Sequence, residues 1–427
     1  MREPQARPAG VQRGARARGQ PADRGAAVGG TRWSTAAGGQ RRKPSITAGH
    51  SPGWRFVESR LSMSHPNTPT AGVVWADPAR HAAFDAWLAP LSARHALRPE
   101  TLRPASADAS FRRYLRLDTS AGASLIVMDA PPDKEDCAPF AKVQALMASA
   151  GLAVPQILDW DAAHGFMLLS DLGGHTVIEA LDPEKPQDAE AWYRSALEVL
   201  MAWQTASRPD VLPAYDDALL RRELQLFPDW YIARHRETVL DDRQQATLAK
   251  AFDQIVAHNL AAPSVFVHRD FMTRNLMQPV TASGPLGVLD FQDAVYGPVT
   301  YDIASLLRDA FISWEEDFVI DITVRYWEKA RKSGLVGARS QSGWGDDFGE
   351  FYRGVEWMGL QRHLKVAGIF ARLTLRDGKP RYLADAPRFI HYIRSTCSRY
   401  RELTPLLRLV DQIENIQPQV GWAYGRV

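Results

Sequence analysis

An α+β chain of two unequal lobes is what the sequence predicts: a small antiparallel, strand-rich half followed by a larger, mostly helical half. Three observations carry that expectation. Short runs with strand character crowd between residues 101 and 169, and helical periodicity dominates from residue 189 onward. Between them lies a polar, glycine-bearing link, Ser170-Asp171-Leu172-Gly173-Gly174. At 427 residues, with 45% hydrophobic and 10% aromatic residues, the chain exceeds one average domain and has the material for a large core.

Residues 1–62 hold twelve Arg or Lys against three Asp or Glu, a balance of +9, in a Gly-, Ala- and Pro-rich stretch with almost no aliphatic pattern. Such a segment buries too little apolar surface to offset its ordering entropy, so it is expected to be a disordered basic extension whose removal leaves turnover intact. The whole chain carries +2, so residues 63–427 carry about −7, which disfavours nucleic acid as the main partner. Two cysteines, Cys137 and Cys397, stand far apart without His or Cys neighbours at ligand spacing, which points away from a disulfide framework or zinc site. No apolar run approaches the roughly 20 residues that span a bilayer, and the N-terminus lacks the apolar core of a signal peptide. A cytoplasmic protein, bound to no membrane and with no obligate protein partner evident, is the expectation.

The strand-rich lobe is expected over residues 77–169. Asp77 before Pro78 is a helix N-cap, and Phe84, Trp87, Leu88 and Leu91 share one face of the helix that follows. Thr101 to Arg103, Phe111 to Leu117 and Ser124 to Met128 read as strands. Glu135 to Ala150 carries Phe140, Val143 and Met147 at helical spacing and ends at Gly151. Val154 to Leu158 and Phe166 to Leu169 are strands joined by a turn at Asp161 to Gly165. Residues 170–174 form the expected hinge and 175–427 the helical lobe. Helices are expected over 189–206, 216–235, 247–258, 303–311, 315–333, 346–373, 386–400 and 404–415, with Asp302 as the N-cap of the fourth. In the second, Leu220, Leu224, Phe227 and Tyr231 form a core stripe, and the adjacent Trp230 is a candidate to stack on a sugar.

The chemistry concentrates in His268-Arg269-Asp270-Phe271-Met272-Thr273-Arg274-Asn275, directly after the strand-like Val265-Phe266-Val267, and in Leu289-Asp290-Phe291, at the end of a second strand-like run. A carboxylate, an amide five positions on and a second carboxylate twenty positions on are what phosphoryl transfer from a nucleotide to a hydroxyl requires. Asp270 accepts the hydroxyl proton, while Asn275 and Asp290 hold Mg²⁺ against the phosphates of ATP. Each carboxylate alone would read as a cap; their joint spacing does not. His268 is expected to support the loop. Ser106, Asp108 and Ser110, between the first two strands, occupy the place of a phosphate-covering loop, although it holds no glycine. Ser170, Asp171 and Leu172 stand where adenine meets main-chain groups. The strand Leu125-Ile126-Val127-Met128 lacks the lysine that grips the α- and β-phosphates in protein kinases. Lys134 lies beyond that strand, and Arg112, Arg113 and Arg116 lie on the preceding one. Arg113 and Arg116 are taken as candidates for that charge, and which cation supplies it stays open. No activation segment or A-P-E follows Asp290, so a small hydroxyl acceptor fits better than a peptide.

Val267 to Asp270 with Arg274-Asn275-Leu276, and Gly287 to Asp293, resemble the aminoglycoside phosphotransferase-like kinases, a small-molecule branch of the protein-kinase-like fold. More narrowly, Ser106 to Arg116, Met128 to Pro132, Leu289 to Asp309 and Trp357 to Arg372 resemble the anomeric sugar kinases of peptidoglycan recycling. The resemblance runs from about residue 77 to about residue 415. It implies ATP-dependent phosphorylation of N-acetylmuramate and N-acetylglucosamine at the anomeric hydroxyl. The sugar would then be met from the helical lobe, with Asp293 toward its hydroxyls and Arg308, Arg362, Lys365 and Arg372 as candidate cations for a lactyl carboxylate. Two alternatives stay open: a kinase of the same fold acting on an aminoglycoside, choline or homoserine, and a nucleotide-binding pseudokinase scaffold.

Overall fold

The computed structural model describes residues 73–105, 112–281, 284–337 and 343–417. The basic extension and the candidates Ser106, Asp108 and Ser110 lie outside the described residues.

The first helix, α1 (Pro78–His95), starts as expected, with the Asp77 carboxylate accepting the Ala79 N–H at 2.9 Å, but it passes through Pro90 and ends at His95. The strands β1 (Leu97–Pro104), β2 (Arg113–Thr119), β3 (Ser124–Asp129), β4 (Ile157–Asp161) and β5 (Phe166–Ser170) make one antiparallel sheet in the order β1-β2-β3-β5-β4. Helix α2 (Ala138–Ser149) is inserted between β3 and β4, and Gly151, at φ +80, follows its end. Side chains alternate across β5 with the period of two that a strand imposes. Phe166 and Leu168 join Phe84, Leu88 and Leu91 of α1 in one cluster, while Met167 and Leu169 join Phe140, Val143 and Met147 of α2 in the other. The β4–β5 turn closes at Gly165, where a Cβ would lie 1.9 Å from the Ala130 carbonyl oxygen and φ is +73, so only glycine fits.

The chain then becomes helical: α3 (Pro186–Thr205), α4 (Asp217–Leu224), α5 (Asp242–Leu260), α6 (Thr300–Leu307), α7 (Glu316–Lys332), α8 (Phe348–Leu375), α9 (Ala386–Arg399) and α10 (Thr404–Ile413). Two short hairpins interrupt this series before α6. Strand β6 (Ser264–Val267) pairs with β9 (Val295–Pro298), and β7 (Leu276–Met277) pairs with β8 (Gly287–Val288). Helix α8 is buried nearly all round, the mark of a core helix, yet it carries Glu356, Gln361, Arg362, His363 and Lys365 inside.

Two helical expectations are corrected. The single helix expected over 216–235 continues past α4 as a wide π-helical turn, Phe227–His235. Pro228 has no N–H for an i→i−4 bond, and α8 crowds the same place, since a Cβ at Gly368 would lie 2.3 Å from the Leu226 carbonyl oxygen. Asp302 is not an N-cap. It lies inside α6, fully buried, and its carboxylate serves another segment.

Candidate active site

Strand β6 delivers the chain into His268, which is buried with its ring against Phe271. Burial drives the imidazole down to about 4, so it is neutral near pH 7, and its Nε2–H donates to the Leu289 carbonyl at 3.1 Å. The Leu289 N–H in turn donates to the Asn275 carbonyl at 2.9 Å. The two segments that bear Asp270 and Asp290 are therefore stitched together through backbone groups.

Both segments hold a non-glycine residue in the left-handed region, Arg269 at φ 75 and Asp290 at φ 63. Such backbone costs of order 1–3 kcal/mol each and persists only where surrounding bonds over-determine it. Asp302 supplies that constraint for the first: its two oxygens accept the His268 N–H at 2.8 Å and the Arg269 N–H at 3.0 Å. Burial pushes the Asp302 carboxyl up to about 7, against the pull of these two N–H groups and of Arg362. Next along the loop, the Thr273 hydroxyl donates to the buried Asp309 carboxylate at 3.1 Å.

Asn275 is buried, and its amide nitrogen donates to the Asp270 carbonyl at 2.9 Å and faces Asp290 Oδ2 at 3.4 Å. That bond fixes the amide nitrogen, which leaves the Asn275 oxygen and the Asp290 carboxylate as hard oxygen donors on the two joined segments. The pair fits Mg²⁺, which is held by one or two protein oxygens together with substrate phosphates. Gln292 donates to Asp290 Oδ1 at 2.9 Å. Among the described residues no group of three or more His, Cys, Asp or Glu could hold a metal.

Behind the loop lies a buried charge cluster. Glu223 pairs with the Arg269 guanidinium, takes Lys365 Nζ at 3.1 Å and accepts the Tyr215 hydroxyl. Burial pushes the Glu223 carboxyl up, but Lys365 and Arg269 outweigh it and hold the group below its ordinary value. Lys365 also donates to the Tyr301 hydroxyl at 3.2 Å, and both Lys365 and Arg269 feel the Asp270 carboxylate.

The other predicted residues scatter. Asp293 is exposed just past the loop, and its carbonyl lies 3.5 Å from Arg269. Arg362 is buried, 5.5 Å above the Tyr301 ring and 4.0 Å from the Met272 sulfur. Arg308 is engaged by Glu316 at 2.7 Å. Arg372 lies near the end of α8, where its charge is set against Arg376 and Asp377. Trp230 sits on the π-helical turn with the Arg234 guanidinium 4.1 Å over its ring. In the sheet lobe, Arg113 pairs with the buried Asp129. Arg116 holds Asp171 in two bonds, the shorter 2.6 Å, and also donates to the Gly173 carbonyl. Ser170 Oγ accepts the Gln156 N–H, and Leu172 packs where a Cβ on Gly287 would be.

Sequence reasoning missed Glu223, Asp309 and the role of Asp302. A signal for Asp302 existed: it is the carboxylate of α6, a helix in which every residue is buried. A charge there needs a partner.

Residues 101–336 match the model of the phosphotransferase enzyme family. The chain is 49% identical over 322 residues to a Neisseria meningitidis protein named N-acetylmuramate/N-acetylglucosamine kinase, covering 75% of this chain and 93% of that relative. A Pseudomonas aeruginosa protein of the same name is 50% identical over 312 residues, covering 73% and 88%. Among solved structures, Plasmodium vivax ethanolamine kinase overlays with a TM-score of 0.52 at 9% identity, over 80% of this chain and 93% of that one, a likeness of fold alone. The chain belongs to the phosphotransferase enzyme family, has the protein-kinase-like fold, and is an enzyme that transfers a phosphoryl group to a hydroxyl acceptor.

Proposed function

We propose that the protein is an ATP-dependent sugar kinase that phosphorylates the anomeric hydroxyl of N-acetylmuramate and N-acetylglucosamine, giving sugar 1-phosphates for UDP-amino-sugar synthesis in cell-wall recycling. The observation that carries the sugar assignment is the near-50% identity along about nine-tenths of relatives bearing that name. The loop geometry supports the phosphoryl-transfer half. The short path from Asp290 through β9 to α6 supports a small acceptor, because it has no room for a peptide-docking segment.

In this reading catalysis is positioning plus charge neutralisation. Asp270 receives a hydrogen bond from the anomeric hydroxyl and aims its oxygen at the γ-phosphorus. As the new P–O bond forms, the bond to ADP breaks and the proton passes to Asp270. An anomeric hydroxyl is more acidic than an ordinary alcohol, so Asp270 need not be a strong base. Asn275 and Asp290 would hold Mg²⁺, which when bound offsets charge on the phosphate oxygens. Asp302, His268 and Glu223 keep the loop in this shape. The link 170–174 would be the hinge that meets adenine, and Arg362 and Lys365 would give the acceptor side its positive charge.

Steady-state ADP release with a panel of N-acetylmuramate, N-acetylglucosamine, glucose, an aminoglycoside, choline and homoserine tests the assignment. The two amino sugars should be turned over with the highest kcat/KM. Preference for any other member would overturn it.

A further inference from the structure

A kinase grips its nucleotide phosphates with a strand lysine paired to a helix glutamate. Here β3 offers no lysine. The cations of the sheet lobe separate by what they touch. Arg80 and Arg113 converge on Asp129, a carboxylate buried inside the sheet. Arg116 is bound to Asp171 and Arg103 to Asp118. Lys134 faces its neighbour Asp133 from a half-exposed turn, and Lys142 is exposed on α2.

Arg112 is ion-paired too, but in a different place. Its side chain is 12% exposed and pairs at 3.0 Å with Glu135, itself 20% exposed, on the turn that leads into α2. Helix α2 is tied to the metal-side segment, because its Phe140 ring lies 4.9 Å from that of Phe291, the residue after Asp290. Tyr114, two residues along from Arg112, lies within electrostatic reach of Arg112, Glu135 and Asp290.

We infer that Arg112 is the residue that grips the nucleotide phosphates, and that Glu135 positions it. The pair is carried just before β2 and on the turn before α2, in place of a strand lysine and a helix glutamate. Arginine suits the task because a guanidinium presents five N–H donors in a rigid fork, so one side chain can serve a carboxylate and a phosphate at once. The inference rests on the kinase reading and is independent of which sugar is the acceptor.

Calorimetric titration of Arg112→Met, Arg112→Lys and Glu135→Gln with Mg·ATP and, separately, with adenosine tests it without any acceptor sugar. Arg112→Met should weaken Mg·ATP about 10- to 100-fold and leave adenosine within about twofold, the pattern of a lost charged contact to phosphate. Arg112→Lys should recover part of that affinity. Glu135→Gln should weaken Mg·ATP by a smaller, still ATP-selective factor. Unchanged Mg·ATP affinity in Arg112→Met, or equal loss for ATP and adenosine, overturns the inference. If Arg112→Met does not fold, Glu135→Gln decides: an ATP-selective loss supports the pair, and an equal loss or none rejects it. Failure of the sugar panel would leave this result standing.

Discussion

Two sets of carboxylates, one from each lobe, act in opposite ways. In the helical lobe, Asp302 and Asp309 are fully buried and bond to the backbone and a hydroxyl of the 268–273 loop, so they fix where that chain runs. In the sheet lobe, Asp118, Asp129 and Asp171 each bind arginine side chains, so they fix where positive charge sits. A buried carboxylate that satisfies backbone N–H groups leaves orphaned donors when removed, at about 1–3 kcal/mol each. A partly exposed ion pair contributes about 0–1 kcal/mol. The loop that carries Asp270 should therefore tolerate little change, whereas the exposed Arg103–Asp118 pair of the sheet should tolerate more.

The largest effect is expected at Asp270 itself. Asp270→Asn should lower turnover about 10³-fold while Mg·ATP still binds, measured by coupled ADP release and calorimetry; removal of a positioned base costs of this order. Next comes Asp290→Asn, which should abolish the Mg²⁺ dependence of nucleotide binding, checked by titrating ATP with and without metal. Unchanged metal dependence would remove Asp290 from the site.

Asp302→Ala should destabilise the fold by about 1–3 kcal/mol for each of the two N–H groups it orphans, read from urea unfolding. Asp302→Asn adds a test of sign. The folded carboxyl titrates near 7 against an ordinary value of 3.8. Between those values the folded chain keeps a proton that the unfolded chain has released, so this group's stabilising contribution is full below about pH 4 and declines as pH rises toward 7. Asp302→Asn should flatten that part of the stability profile. Last, Arg103→Met should cost no more than about 1 kcal/mol, since both it and its partner Asp118 are more than a third exposed. A loss from Arg103→Met as large as that from Asp302→Ala would erase the contrast.

The same contrast explains what the sequence made legible. That Asp270, Asn275 and Asp290 come together was readable because their spacing is short-range and their flanks are strands. Strands β2 to β6 and most helices followed from periodicity, with ends shifted by a few residues, whereas β7, β9 and the π-helical turn did not. Asp302 was misread because a capping carboxylate and a loop-holding one look alike locally; the difference lies in bonds to His268 and Arg269, more than thirty residues earlier. The engagement of Arg113 depended on strand register, which sets it opposite Asp129, and that of Arg116 on a residue beyond α2 and three strands. The Arg112–Glu135 pair was invisible for the same reason, since a turn and a strand end meet only in the folded sheet.

The measurement that tests the account most directly is where the phosphate goes. The protein is incubated with Mg·ATP and N-acetylmuramate, and the product is read by ³¹P and ¹H NMR. The account predicts a phosphorus coupled to the anomeric proton, a sugar 1-phosphate. A phosphate on the primary or another ring hydroxyl would contradict it.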